Sequence, residues 1–193
     1  MIRGAGPTDE ELVAAVLGGD RERFGELIGR YQGRLVNYLF RLLRNADDAH
    51  DMAQEVFVKV YQVLDRYDAQ YKFSTWLFRV AQNAAIDQIR RRRLKLVPLQ
   101  HEDAAGESRD WELPSDDRGP YGLMRNRERG DAIQDAIDGL PWEYRELILL
   151  RHMAELAYEE IARMKGMPLG TVKNKLFRGR QMLKEKLRDY ITD

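Results

Sequence analysis

Along most of the chain, apolar residues recur at three- and four-residue intervals, the period of helices that each bury one stripe. Thr8-Asp9-Glu10-Glu11 has the form of a capping box ahead of Leu12, Val13, Val16 and Leu17. Phe24, Leu27, Ile28, Tyr31, Leu35, Leu39 and Leu42 trace one apolar stripe, and Met52, Val56, Val60 and Leu64 trace another. A third helix is expected from about Ser74, read as its N-cap, to Arg93. The period resumes at Ile133, Ala136, Ile137 and Leu140. Pro141 then suits the first turn of a further helix, with Leu147 to Leu150 as its buried face. No alternating strand pattern interrupts this. Residues 96–125 differ: they hold Pro98, Pro114 and Pro120, several Gly and Ser, and the aromatic Trp111. The expectation is an all-α protein of two small helical domains, 8–95 and 126–193, joined by a flexible acidic linker over 96–125.

Composition narrows the class. The chain has 193 residues, enough for two small helical domains, and 44% of them are hydrophobic, as in soluble globular proteins. No run approaches the roughly 20 apolar residues that span a bilayer. Met1-Ile2-Arg3-Gly4 is not followed by the apolar stretch of a signal peptide, so a cytoplasmic location is expected. Cysteine is absent, which excludes disulfides and thiolate chemistry. His50, His101 and His152 lie far apart without ligand spacing, so no metal and no cofactor is expected. Neither a phosphate loop nor a nucleophile–base motif suggests an enzyme or a small-molecule substrate; Gly4-Ala5-Gly6 is too weak a signal. The net charge is zero but unevenly spread. Nine Lys/Arg lie between Arg163 and Arg188 against one acidic residue, Glu185, whereas residues 96–125 hold seven Asp/Glu against three Arg. A basic block of this kind suits a polyanion, although a solvated helix face has the same composition.

The basic block coincides with a helix-turn-helix layout from Tyr158 to Val172. Small Ala162 permits close helix approach, Gly166 sits where the turn needs positive φ, and Pro168 marks the start of the second helix. At about 100° per residue, Val172, Leu176, Leu183 and Leu187 fall on one side of that helix. Asn174, Phe177, Arg178 and Gln181 point away, with Lys173 and Arg180 on the flanks. Arg suits guanine, Asn and Gln suit adenine, and an aromatic suits a thymine methyl. Thr171, Lys173, Lys175 and Arg180 complete the candidate DNA set, the three cations as phosphate contacts. Ala157 stands where a capping Ser or Thr is expected, at a cost of about 1 kcal/mol.

In the N-terminal half, Asp51 and Glu55 are four apart, with Gln54 beside them, opposite Met52, Val56 and Val60. By itself this pattern equally suits ordinary helix electrostatics, since early carboxylates meet the helix dipole and Glu55 can pair with Lys59. Trp76, Arg79, Asn83, Asp87 and Arg90 share another helical face, preceded by Tyr67, Tyr71 and Phe73. Aromatics beside cations can stack unpaired bases and hold their phosphates; core packing is the alternative for Phe73, Trp76 and Phe78.

Three segments also carry a resemblance. Residues 47–57, DDAHDMAQEVF, resemble the polymerase-binding segment of bacterial sigma factors; residues 72–83, KFSTWLFRVAQN, resemble their promoter-melting segment; and Leu169-Gly170-Thr171-Val172-Lys173 resembles the start of their recognition helix. Order and spacing are similar to those of the extracytoplasmic-function subgroup. The resemblance implies core RNA polymerase, promoter DNA and an anti-sigma factor as partners. It implies that Asp47, Asp48, Asp51, Gln54 and Glu55 meet the polymerase clamp. Tyr67 and Asn83 would line a pocket for a flipped base of the minus-ten element, with Tyr71, Phe73, Trp76, Arg79, Asp87, Arg90 and Arg91 beside it; Arg92, Arg93 and Lys95 would add phosphate contacts. The recognition helix would read the minus-thirty-five element. Lys165 departs from the family pattern, which has an apolar residue just before the turn glycine. A conventional helix-turn-helix regulator and a helical protein-interaction module are the competing readings.

Overall fold

In the computed structural model, residues 6–95 and 130–188 are described, and among them all regular structure is helical. The tether expected over 96–125, with Trp111, lies outside these residues, as do the side chains of Arg93 and Lys95. The chain divides into two compact units, Met1–Glu107 and Ser108–Asp193. Among the described residues no helix is long and apolar enough to cross a membrane.

The first unit contains α1 (Asp9–Leu17), α2 (Arg23–Leu43), α3 (Ala46–Gln62), a 3-10 turn (Leu64–Arg66) and α4 (Phe73–Lys95). The capping box forms: the Thr8 hydroxyl accepts from the Glu11 N–H at 3.2 Å, and the Glu11 carboxylate accepts from the Thr8 N–H at 2.7 Å. Leu12, Val13 and Val16 bury against α2, but Leu17, the last residue of its helix, is exposed. Asp9 holds α1 on α2 by pairing with Arg30 at 2.8 Å and accepting from the Tyr31 hydroxyl.

The stripe on α2 is buried as expected apart from half-buried Ile28, and Val36, Tyr38 and Leu43 widen it. The width follows from α2 lying against both α3 and α4. Arg44, in the left-handed conformation, stops α2. Asn45 then starts α3, its side chain accepting from the Asp48 N–H at 2.9 Å. Leu64 is buried but belongs to the 3-10 turn, not to α3. The start of α4 also differs from expectation. Ser74 lies inside its first turn, and the Lys72 carbonyl accepts from the Trp76 N–H at 3.3 Å.

The second unit contains α5 over residues 130–138, α6 (Trp142–His152), α7 (Tyr158–Lys165) and α8 (Leu169–Lys186). Ala136, Ile137 and Leu140 are buried, whereas Ile133 is exposed. Gln134 takes the buried position and donates to Asp138 at 3.1 Å, a polar substitute that hydropathy cannot show. Pro141 precedes α6 instead of lying in its first turn; its carbonyl accepts from Tyr144 and Arg145. Leu147 to Leu150 are buried all round because α6 packs against both α7 and α8.

The helix-turn-helix forms from α7 and α8. Gly166 has φ 62°, and the N–H groups of Gly166 and Met167 donate to the carbonyls of Arg163 and Ala162. These two bonds satisfy the last turn of α7 as a Schellman motif. At Ala157 only half a capping box exists, because alanine has no acceptor. The Glu160 carboxylate accepts from the Ala157 N–H at 2.5 Å.

Candidate nucleic-acid interface

The α3 helix presents Asp51, Gln54, Glu55, Val58, Lys59 and Gln62 around one shallow depression. Met52, Ala53, Val56, Phe57 and Val60 face inward and anchor it. Periodicity therefore leaves the carboxylate–amide face in solvent. Val58, 57% exposed in the middle of that face, was not singled out by the sequence, because a valine among buried valines carries no distinguishing signal. Asp47 is exposed in the first turn. Asp48 is not displayed in the same way: it is half-buried and pairs with Arg92 of α4 at 2.7 Å. This pair also occupies one of the cations expected to grip DNA.

Beyond α3 in the chain, Tyr67, Phe73 and Trp76 form one aromatic cluster. Tyr67 lies 5.4 Å from Trp76 and 5.9 Å from Phe73, centroid to centroid, and Phe73 lies 6.0 Å from Trp76. Phe73 does not present a face for stacking. It is 0% exposed, wedged also against Tyr31 at 5.5 Å, because the first residue of α4 points into the core. Phe78 is core too, edge-on to Tyr38. Tyr67 and Trp76 are half-buried and Tyr71 is exposed, so these three keep accessible surface. The Tyr67 hydroxyl donates to the Tyr71 carbonyl at 2.5 Å, which ties the loop to the cluster. Desolvation, then Glu10 and Asp9, push the Tyr67 phenol up to about 12, so at neutral pH it is protonated and able to donate. Along α4, Arg79, Asn83, Asp87, Arg90 and Arg91 are all exposed. Asn83 follows Trp76 by seven residues, two turns on the same face. Arg91 donates to the Asp87 carbonyl at 3.3 Å.

On α8, Val172 and Leu176 are fully buried, Gly179 is buried, and Leu183 and Leu187 are half-buried. Thr171, Lys173, Asn174, Phe177, Arg178, Arg180 and Gln181 are exposed. Phe177 is 56% exposed beside Arg178, on the side away from the core. Lys175 is different. It turns back toward α6, pairs with Glu143, and places its ammonium 5.9 Å from the Tyr144 ring centroid. Arg180, on the other flank, donates to the Tyr158 hydroxyl at 3.0 Å. Arg151 lies 5.3 Å over the same ring and donates to the Leu156 carbonyl at 3.0 Å. Desolvation, helped by Arg180 and Arg151, lowers the His152 pKa. Arg151 and Tyr158 were missed by the sequence reading, since their proximity to α8 is tertiary.

Comparison with known proteins shows the family. Families described as Sigma-70 region 2 and Sigma-70, region 4 match residues 27–95 and 130–183. The ECF RNA polymerase sigma factor SigW of Bacillus subtilis is 35% identical, covering 93% of this chain and 97% of its own length. The ECF RNA polymerase sigma-E factor of Escherichia coli is 33% identical, covering 95% and 96%. Among solved structures, CnrH in complex with the cytosolic domain of CnrY shares the fold at a TM-score of 0.71 and 22% identity, covering 95% of this chain and 99% of that one. The sigma factor RpoE of Bartonella quintana, in complex with the anti-sigma factor NepR, does so at 0.63 and 21%, covering 86% and 96%. This chain belongs to the extracytoplasmic-function RNA polymerase sigma factors, which direct promoter-specific transcription initiation.

Proposed function

We propose that the work of initiation is divided among three surfaces. The Asp51, Gln54 and Glu55 face of α3, with Asp47 at its start, engages core RNA polymerase. The Tyr67, Tyr71, Trp76 and Asn83 surface, flanked by Arg79, Asp87, Arg90 and Arg91, captures and opens the minus-ten element. Asn174, Phe177, Arg178 and Gln181 read bases of the minus-thirty-five element, while Thr171, Lys173 and Arg180 meet phosphates. Lys175, held by Glu143, serves the phosphates only when released. The protein works in the cytoplasm, binds without a cofactor and catalyses no reaction of its own.

One observation carries the reading. Phe177 and Arg178 stand exposed together on a helix whose opposite side is buried, on the second helix of a helix-turn-helix. An exposed aromatic beside a guanidinium gains little in water, but in a major groove the ring meets a thymine methyl and the guanidinium meets guanine. An anti-sigma factor is the remaining partner. The Bartonella quintana sigma factor was captured with one, and co-purification from the native host under uninduced conditions tests the same for this chain. The decisive experiment is transcription by purified core polymerase with this protein on a promoter library. Promoter-specific starts that require the protein are expected. Sequence-specific duplex binding by the free protein, with no effect on core polymerase, would favour a conventional regulator instead.

A further inference from the structure

The recognition helix carries cations on both flanks, and the two flanks are treated differently. Arg180, on the α7 side, donates to the neutral hydroxyl of Tyr158, which leaves its charge uncompensated there. Lys175, on the α6 side, is 24% exposed and pairs directly with Glu143, in the first turn of α6. Its stem passes the Tyr144 ring, with which its ammonium makes a cation–π contact. Lys175 therefore has its charge cancelled by the neighbouring helix α6. A lysine so held neutralises no phosphate and releases no counterion. We propose that Glu143 is an electrostatic restraint on the DNA interface: by holding Lys175 it removes one phosphate contact from the recognition helix and so limits sequence-independent affinity for DNA.

The inference rests on the DNA-reading role proposed for α8, and its consequences are quantitative. A freed Lys175 adds one phosphate contact, which steepens the dependence of log affinity on log salt by about 0.9. Glu143→Gln keeps the shape of the side chain and removes its charge. Lowering salt from about 200 to about 50 mM should then strengthen this variant by roughly 3.5-fold more than the parent protein. Because phosphates carry no sequence information, the gain should be equal on a promoter duplex and on a scrambled one. Lys175→Ala should cost little in the parent and the same several-fold factor in the Glu143→Gln background.

The experiment is a salt series of the full chain on both duplexes, with Glu143→Gln, Lys175→Ala, the double variant and Arg178→Ala. Steeper salt dependence in Glu143→Gln that disappears in the double variant is the expected result. An unchanged slope in Glu143→Gln, or an equal loss from Lys175→Ala in both backgrounds, overturns the proposal. Arg178→Ala separates this from the wider reading. If it weakens binding while Glu143→Gln is silent, only the restraint falls. If Arg178→Ala is also silent on every duplex, the DNA role of α8 falls and the restraint with it.

Discussion

Position 165 has a lysine where the resemblance calls for an apolar residue, and the reason is a carboxylate on another helix. Glu146, on α6, keeps only 7% of its side chain exposed and pairs with Lys165 at 2.7 Å. A charge buried that deeply needs an opposite charge beside it. Lys165→Met, which restores the apolar residue, should therefore destabilise the second unit by about 2 kcal/mol, below the usual cost of breaking a fully buried pair because Lys165 keeps some exposure. Glu146→Leu in the same chain should recover most of that loss. Urea unfolding of the parent and the two variants measures both effects; a neutral Lys165→Met would mean that the pair contributes nothing. Asn83 carries a proposed function at the residue scale. Extruding a base costs a few kcal/mol, which only contacts absent from duplex DNA can offset. Its exposed amide, two turns along α4 from Trp76, offers such a contact. Asn83→Ala should reduce open-complex formation about tenfold, the equivalent of one lost base contact, with polymerase binding kept. Permanganate footprinting reads the opening, and a pre-melted bubble should restore most of the activity. Wild-type opening would remove Asn83 from the pocket.

Between elements, Gly179 decides how closely α8 approaches α6. A Cβ built there would lie 3.1 Å from Ile148 Cγ1 and 3.4 Å from Tyr144 Cβ. Alanine gains about 1 kcal/mol of helix propensity over glycine, so a shift of a few tenths of an ångström in Ile148 leaves Gly179→Ala near neutral. Leucine cannot be accommodated by so small a shift. Gly179→Leu should cost about 1–3 kcal/mol by overpacking, and it should weaken DNA binding by tilting the recognition helix. Thermal melting followed by circular dichroism tests the first part. Equal melting temperatures for the alanine and leucine variants would contradict the close approach. The same pair of helices carries the Glu143–Lys175 contact, so packing and electrostatics of the proposed DNA face are set together.

For the whole molecule, the proposed polymerase and DNA surfaces should be separable by mutation. The α3 face contains no core residue among Asp51, Gln54 and Glu55, all exposed. Gln54→Ala with Glu55→Lys should therefore keep helical content while weakening association with core polymerase at least about tenfold, since a reversed charge inside an interface costs more than 1.4 kcal/mol. A titration against core enzyme, with low-salt DNA binding as the control, measures this. Unchanged affinity for core would move the polymerase contact elsewhere on the chain.

The all-helical class, the stripes on α2 and α3, the capping box at Thr8 and the turn at Gly166 were all legible in the sequence, because each depends on periodicity or on local backbone chemistry. The exposed set on α8 was legible for the same reason: once Val172 and Leu176 face inward, angle alone places Phe177 and Arg178 outside. Tertiary structure decided the rest. Phe73 and Tyr71 both precede the α4 face as aromatics, yet one is buried under three rings and the other exposed, which depends on where α2 lies. Ile133 and Gln134 exchange their expected places because burial of an amide depends on a partner, here Asp138. Lys165, Asp48 and Lys175 looked like surface charges, and each is paired with a residue from a different helix. Periodicity tells which way a side chain points from its own helix axis; it cannot tell which neighbouring helix supplies the opposite charge.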